Sequence, residues 1–422
     1  MKISEPTSLF YHLIKRAWKS TALWMVTLLI CFDFASHFFN PMKYLDWQRV
    51  HPFQLTQSAI NYKFSQLLSS RQSPDILIMG SSLMMAPIFY CDGVYSKRET
   101  TLLLNRISNL GLNGFQSYPE AIYFTDLLKH ATGKQIKVFN MTTAACMASD
   151  AHLILSKIIV HSKQPKLLLY GIGPRDFSDN LMPPLGATPT FKILADWSDL
   201  PTLGLANAKP NIIENLAIYS LTYYYRVRDQ YRALALEYAA NLFNHPRDMA
   251  EAEDWRKIQP KTPHNNSEEE EVLAEQKNIT PVRFVRLPEK HIYQNLSEQL
   301  ADYDHRYNPP DWKRFPEELH QFADFVKMCK KNKIILVLVN MPITLQNKLL
   351  IRPQVYSHYM SEVEKIAQKE DIPFFNFQDA PIIQSDDFLD SVHMNAKGGR
   401  KFENSLAEKI VPLLLDQKLK SD

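Results

Sequence analysis

The apolar positions of this chain fall into two rhythms. Short β-branched and aliphatic runs recur at residues 76–79, 136–139, 167–170, 334–339 and 373–377, each of strand length. Between them, residues 119–130, 149–160, 316–330 and 356–370 carry apolar side chains at helical spacing. Strands alternating with helices predict a parallel sheet. The runs Leu167-Leu168-Leu169-Tyr170 and Ile334-Ile335-Leu336-Val337-Leu338-Val339 are apolar at every position, as expected for central strands covered by helices on both faces.

The alternation stops between Asp176 and Asn308, a stretch that offers no clear strand and reads as an insertion. Its middle, residues 213–243, contains Tyr219-Ser220-Leu221-Thr222-Tyr223-Tyr224-Tyr225. It predicts one or two helices, whose aromatics either pack on the main domain or line a sugar or lipid groove. Residues 248–278 hold Asn265-Asn266-Ser267 and Glu268-Glu269-Glu270-Glu271 and are nearly free of aromatics, which predicts a mobile surface loop. The chain thus divides into residues 1–45, the halves 70–180 and 313–422 of one α/β domain, and a mainly helical insertion over 181–312.

Near the start, Lys15, Arg16 and Lys19 precede an apolar stretch over 21–32 that resumes at 34–39. The residues Phe34-Ala35-Ser36-His37 contain no suitable small-x-small cleavage step, so an uncleaved single-pass membrane anchor is expected rather than a signal peptide. Basic residues on the near side predict a cytoplasmic N-terminus and an extracytoplasmic main domain, periplasmic or at the cell surface. Asp33 falls toward the exit end, where a carboxylate can reach the interface or face a partner helix.

Composition narrows the picture only a little. At 422 residues and 45% hydrophobic content the chain is long and apolar enough for a packed core. Its 48 basic and 45 acidic residues leave a net charge of +3, with no global signature of nucleic-acid binding. The four cysteines form neither a disulfide framework nor a zinc spacing. Cys91, Cys146 and Cys329 are expected as small buried residues, with a single bridge left open. No metal or cofactor is implied.

Two short segments carry the candidate chemistry. The apolar run at 76–79 breaks at Gly80-Ser81-Ser82, and Asp390-Ser391-Val392-His393 follows the last predicted strand. A serine hydroxyl is a weak nucleophile unless a base takes its proton and donors hold the oxyanion. A helix beginning near Ser82 would aim that residue's amide and the helix dipole at the developing charge. Helix capping by Ser81 or Ser82 is the competing reading of this segment taken alone. Asp390, three residues before His393, can hold Nδ1 while Nε2 faces Ser82. Asn395 and Gly398-Gly399 then turn the chain into the final helix. His152 reads as a packed surface histidine on its helix.

These blocks resemble those of the SGNH or GDSL-type hydrolases, whose first block is a strand followed by Gly-Asp-Ser and whose last is Asp-x-x-His. The match covers about 75–180 and 315–415, with Ser81 in place of the aspartate. The resemblance implies a flavodoxin-like three-layer α/β/α sandwich with a five-stranded parallel sheet, and a catalytic set of Ser82, Asp390 and His393. It implies oxyanion or substrate contacts from Ala145, where the family has glycine, and from Arg175 in Gly171-Ile172-Gly173-Pro174-Arg175-Asp176, where the family has asparagine. Arg175 could equally pair with Asp176 or anchor the insertion. Asn340 either lines the pocket or forms a turn. The anchored layout is similar to the branch containing D-alanyl-transfer proteins of the Dlt type and alginate and peptidoglycan O-acetylation proteins. That implies an acyl esterase or O-acyltransferase acting on a cell-envelope glycan or polymer, beside a multi-spanning membrane acyltransferase. The alternative is an inactive binding or scaffold protein on the same fold.

Overall fold

The computed structural model describes residues 20–38, 59–95, 116, 118–196, 199, 213 and 296–416. In chain order these form α1 (Thr21–Phe38), α2 (Ala59–Ser69), β1 (Ile76–Gly80), α3 (Ser82–Tyr95), α4 (Ile122–Thr132), β2 (Val138–Asn140) and α5 (Ala148–Val160). There follow β3 (Leu167–Ile172), the short α6 (Arg175–Ser178) and α7 (Pro189–Leu194), α8 (Leu296–Tyr307), α9 (Arg314–Lys331) and β4 (Ile335–Asn340). The last elements are α10 (Leu345–Lys348), α11 (Pro353–Lys369), β5 (Phe374–Asn376), a 3-10 turn (Ser385–Asp387) and α12 (Ala396–Asp416). All five predicted strands and the four predicted helices form.

The strands pair in parallel in the order β2-β1-β3-β4-β5. This is the order of flavodoxin-like sheets, with its topological switch between β1 and β3, where ligands bind at the carboxyl ends of the strands. Register brings Gly80 level with Gly171 and Ile172 level with Asn340. Alternate strand residues feed two separate cores. Leu77, Met79, Leu168, Tyr170, Leu336 and Leu338 pack among side chains of α2, α5, α9 and α11. Ile76, Ile78, Leu167, Leu169, Val337 and Val339 pack among those of α3, α4 and α12. Burial on both faces explains why the central strands read as unbroken apolar runs.

Two glycine positions are dictated by close approach. Gly80 has φ +140°, and a Cβ there would stand 2.5 Å from the Gly171 carbonyl oxygen. Gly398 and Gly399 lie within the first turn of α12, where a Cβ on Gly399 would run into the Pro87 carbonyl of α3. Gly399 thus lets α12 close on α3, and Gly398 lets it approach the Asp387 backbone of the 3-10 turn, the tight entry that the two glycines predict. The turn itself is made by Asn395, whose Oδ1 accepts the Gly398 N–H at 2.9 Å.

Three expectations need correction or bounding. Helix α1 forms within the predicted anchor and exposes Leu28, Leu29, Ile30 and Phe34. It has 18 residues and carries Asp33, giving a length of about 27 Å against a bilayer core of about 30 Å. Among the described residues no helix is long and apolar enough to cross a membrane. His152 is 1% exposed rather than at the surface, with Nδ1 2.8 Å from Gln321 Oε1, and burial lowers its pKa. The tyrosine-rich helices expected at 213–243 and the loop expected at 248–278 lie outside the described residues, Ile213 excepted. Cys91, Cys146 and Cys329 are buried and unbridged.

Candidate active site

Strand β1 ends at Gly80 and α3 begins at Ser82. The Ser81 carbonyl accepts the Met84 and Met85 amides at 3.1 and 3.2 Å, so Ser81 is the residue at which helical bonding starts. Ser82 occupies the first turn, where backbone N–H groups have no partner within the helix. Its hydroxyl lies 2.8 Å from His393 Nε2. On the other side of the ring, Nδ1 is 2.7 Å from Asp390 Oδ2.

The Asp-x-x-His spacing works through a local turn. Asp390 Oδ1 accepts the backbone N–H groups of Val392 and His393 at 2.8 and 2.7 Å, so the carboxylate closes its own turn while its second oxygen holds the ring. The Leu389 amide donates to the His393 carbonyl at 2.8 Å, and Phe388 pairs with Met394 in an antiparallel bridge. Burial pushes the Asp390 carboxyl upward, but the imidazole and the two amides outweigh it and hold the pKa below the usual value. Asp390 is therefore an anion over the physiological range. Tyr90 of α3 feels the same charge: burial and Asp390 together raise its phenol. Ser82 is 8% exposed and the His393 side chain 24%, so solvent reaches the pair along one edge.

The loop after β2 folds back over the end of β1. The Met141 amide donates to Ile78 O at 2.8 Å, and the Thr143 amide to Gly80 O at 2.9 Å. Ala145 has φ +54°, the left-handed region in which glycine is the easier residue. Thr143, Ala144 and Ala145 line a cavity of about 230 Å³, with Ile60, Met182 and Ile193 opposite.

Arg175 and Asn340 are committed to internal contacts. Arg175 Nε pairs with the fully buried Asp179 at 2.9 Å, and its Nη1 donates to the Tyr303 hydroxyl at 3.0 Å. Of the roles left open by the sequence, anchoring the insertion is the one these contacts match, since Tyr303 belongs to α8. Asp176 accepts the Gly173 amide at 2.9 Å. Burial pushes its pKa up to about 7, against Arg175, that amide and the nearby Ser81 dipole. The Ser81 hydroxyl is buried without a well-formed hydrogen bond. Asn340 donates to Asn376 Oδ1 at 2.8 Å and accepts from the Tyr359 hydroxyl at 2.8 Å. It ties β4 to β5 and α11 beneath the site.

Lys63 carries no signal in the sequence, being a lone lysine within the short amphipathic helix α2. It is 0% exposed, and its Nζ donates to the Thr142 carbonyl at 2.7 Å. Burial lowers its pKa to about 7. Thr142 Oγ1 in turn donates to Asn140 Oδ1, so a buried polar chain supports the loop that carries Ala145.

No family model matches this chain, and no curated protein matches it. What the site can do chemically therefore rests on its geometry: a hydroxyl, an imidazole and an anionic carboxylate in line, beside the amino end of a helix.

Proposed function

We propose that the protein is a serine esterase or O-acyltransferase of the SGNH type, with Ser82 as nucleophile, His393 as general base and Asp390 as its orienting anion. One observation carries this reading: the continuous hydrogen-bonded line from Ser82 Oγ through His393 to Asp390 at the switch point of the sheet. In the reaction, Ser82 Oγ attacks the ester carbonyl carbon while Nε2 takes the hydroxyl proton. The tetrahedral oxyanion is held by amides at the start of α3, with the Ala145 amide as the second donor implied by the family resemblance. The C–O bond to the leaving alcohol then breaks, and the alcohol carries off the proton from Nε2. Water or an acceptor hydroxyl repeats these steps on the acyl-serine, giving hydrolysis or transfer.

The apolar exposed face of α1 and the basic residues before it support tethering to a membrane, with the α/β domain on the extracytoplasmic side. An acylated cell-envelope glycan or polymer is the substrate class that fits this placement, and a multi-spanning acyltransferase the partner. A fluorophosphonate probe on the full chain in detergent tests the chemistry. Covalent labelling of wild type that is abolished in Ser82→Ala and His393→Ala is the expected result, and labelling that persists in Ser82→Ala would refute the assignment. The scaffold reading draws on one observation, that Arg175 is engaged by Asp179 and Tyr303 rather than free to replace the oxyanion asparagine. It predicts no labelling of wild type at all.

A further inference from the structure

Helix α8, through which the chain returns from the insertion, buries a stripe of unusual composition. Gln299, Tyr303 and Tyr307 are its buried residues, at the i, i+4, i+8 spacing of a single face. A helix that merely covered the core would present aliphatic side chains there. Instead each of the three ends in a polar tip, and each tip meets a partner that follows a strand's carboxyl end: Ser391 for Gln299, Arg175 of α6 for Tyr303 and Asn347 of α10 for Tyr307.

Two of the three converge on Ser391, the residue after Asp390, Gln299 directly and Tyr307 through Asn347. Its N–H donates to Gln299 Oε1 at 2.9 Å. Its carbonyl accepts the Thr344 N–H at 3.1 Å and hydroxyl at 2.8 Å, and its Oγ accepts from Asn347 Nδ2 at 3.0 Å. Asn347 Oδ1 is in turn held by the Tyr307 hydroxyl at 2.9 Å. Ser391 and Asn347 are both 0% exposed, so water cannot replace any of these bonds. Tyr303, between the other two, accepts from Arg175 and has the Arg175 and Arg306 guanidinium carbons 5.7 and 5.8 Å from its ring centre. Arg306 extends the grip by pairing with Asp179 at 2.9 Å.

The bond from Gln299 has a particular reach. The Ser391 N–H belongs to the peptide unit that joins it to Asp390, so fixing its direction fixes the backbone of Asp390. The Asp390 carboxylate is also bonded to the amides two and three residues ahead. A tilt of that one peptide would therefore move the carboxylate relative to the imidazole. We propose that α8 is a clamp on the active site, and that Gln299 is a positioning residue that holds the Asp390–His393 turn in register with Ser82. This rests on the triad reading above. It assigns to the end of the insertion a part in catalysis although no α8 side chain reaches the reacting atoms.

The test uses the full chain in detergent, with fluorophosphonate inactivation resolved into its maximal rate and its half-saturating concentration. Gln299→Leu keeps the bulk and removes the acceptor; it should lower the maximal rate by on the order of tenfold to 100-fold and leave half-saturation unchanged. Gln299→Glu retains an acceptor oxygen and should recover most of the loss, which a purely space-filling role would not produce. If wild type labels at Ser82 while a Gln299→Leu protein of normal melting temperature labels at the wild-type rate, the clamp is refuted and the triad stands. Equal losses in the Leu and Glu variants would also refute it. Absence of wild-type labelling would refute the triad reading and the clamp with it. Should Gln299→Leu fail to fold, Gln299→Asn, which withdraws the acceptor by one methylene, carries the same expectation and the same refutation.

Discussion

His393 Nε2 stands 2.8 Å from Ser82 Oγ across 311 residues of sequence. Nothing local holds the two together. Ser82 is placed by the end of β1 and His393 by a turn closed on Asp390, and the sheet and α12 bring the two supports to one edge. The contact therefore reports on the whole fold, and it is sensitive to the parts that aim each side chain.

Asp390→Asn separates aim from structure. The amide oxygen can still accept the Val392 and His393 N–H groups, so the turn and the melting temperature should be retained. The imidazole loses its anion and its favoured tautomer. Acylation by an activated ester should fall by roughly 1,000- to 10,000-fold, on the scale known for serine-protease triads, and steady-state kinetics with matched melting curves would measure it.

Gly80→Ala should be poorly tolerated. The left-handed φ and the approach to Gly171 O leave no room for a methyl group between the two central strands. A loss of about 3 kcal/mol or more is expected from strain and displacement of backbone, read as a shift of the urea midpoint.

Arg175→Met distinguishes an anchor from an oxyanion donor. Asp179 is 0% exposed and would keep only Arg306 as a side-chain cation among the described residues. Removing one partner of a buried carboxylate costs about 3 kcal/mol. The expected outcome is a clear fall in stability; a protein of undiminished stability that fails only in acylation would instead place the guanidinium at the oxyanion.

Stability should carry a signature of buried acids. Burial raises Glu318 from 4.5 to about 8, against the Ser149 bonds, and raises Asp150 from 3.8 to about 6 and Asp176 to about 7. Between about pH 4 and these values the native state keeps protons that the unfolded chain has released. Each group therefore loses stability as pH rises, by up to about 1.4 kcal/mol per pH unit. His152 and Lys63, both lowered by burial, act in the opposite sense. Glu318→Gln isolates one group: relative to this variant, wild type should lose stability between pH 5 and pH 7, and parallel urea midpoints over that interval would contradict the assignment. Lys63→Met should remove a rise in stability above about pH 7.

Much of the fold was legible along the chain because each strand has its own local cause. The runs at β1, β3 and β4 are apolar on both faces since two helical layers cover them, and β1 stops where Gly80 and two serines follow. Asp390 and His393 were legible for a similar reason, as their spacing builds a turn by itself. Arg175 and Asn340 were legible as residues at the carboxyl edge of the sheet, although Asn340 proves to be the last residue of β4 and Arg175 the first of α6, but their partners were not. Asp179 lies four residues on from Arg175, but Tyr303, Asn376 and Tyr359 come from other elements, and nothing in the local pattern specifies them.

The sequence alone determined the alternation of strands and helices, the glycine break before Ser82 and the Asp-x-x-His turn, all set by interactions within a few residues. Only the tertiary structure decided that Ser82 and His393 meet, that Lys63, Asp150, Asp176 and Glu318 are buried, and that a helix from the insertion grips Ser391. Those outcomes depend on contacts between distant segments, whose geometry is fixed by packing the whole sheet and not by any window of the chain.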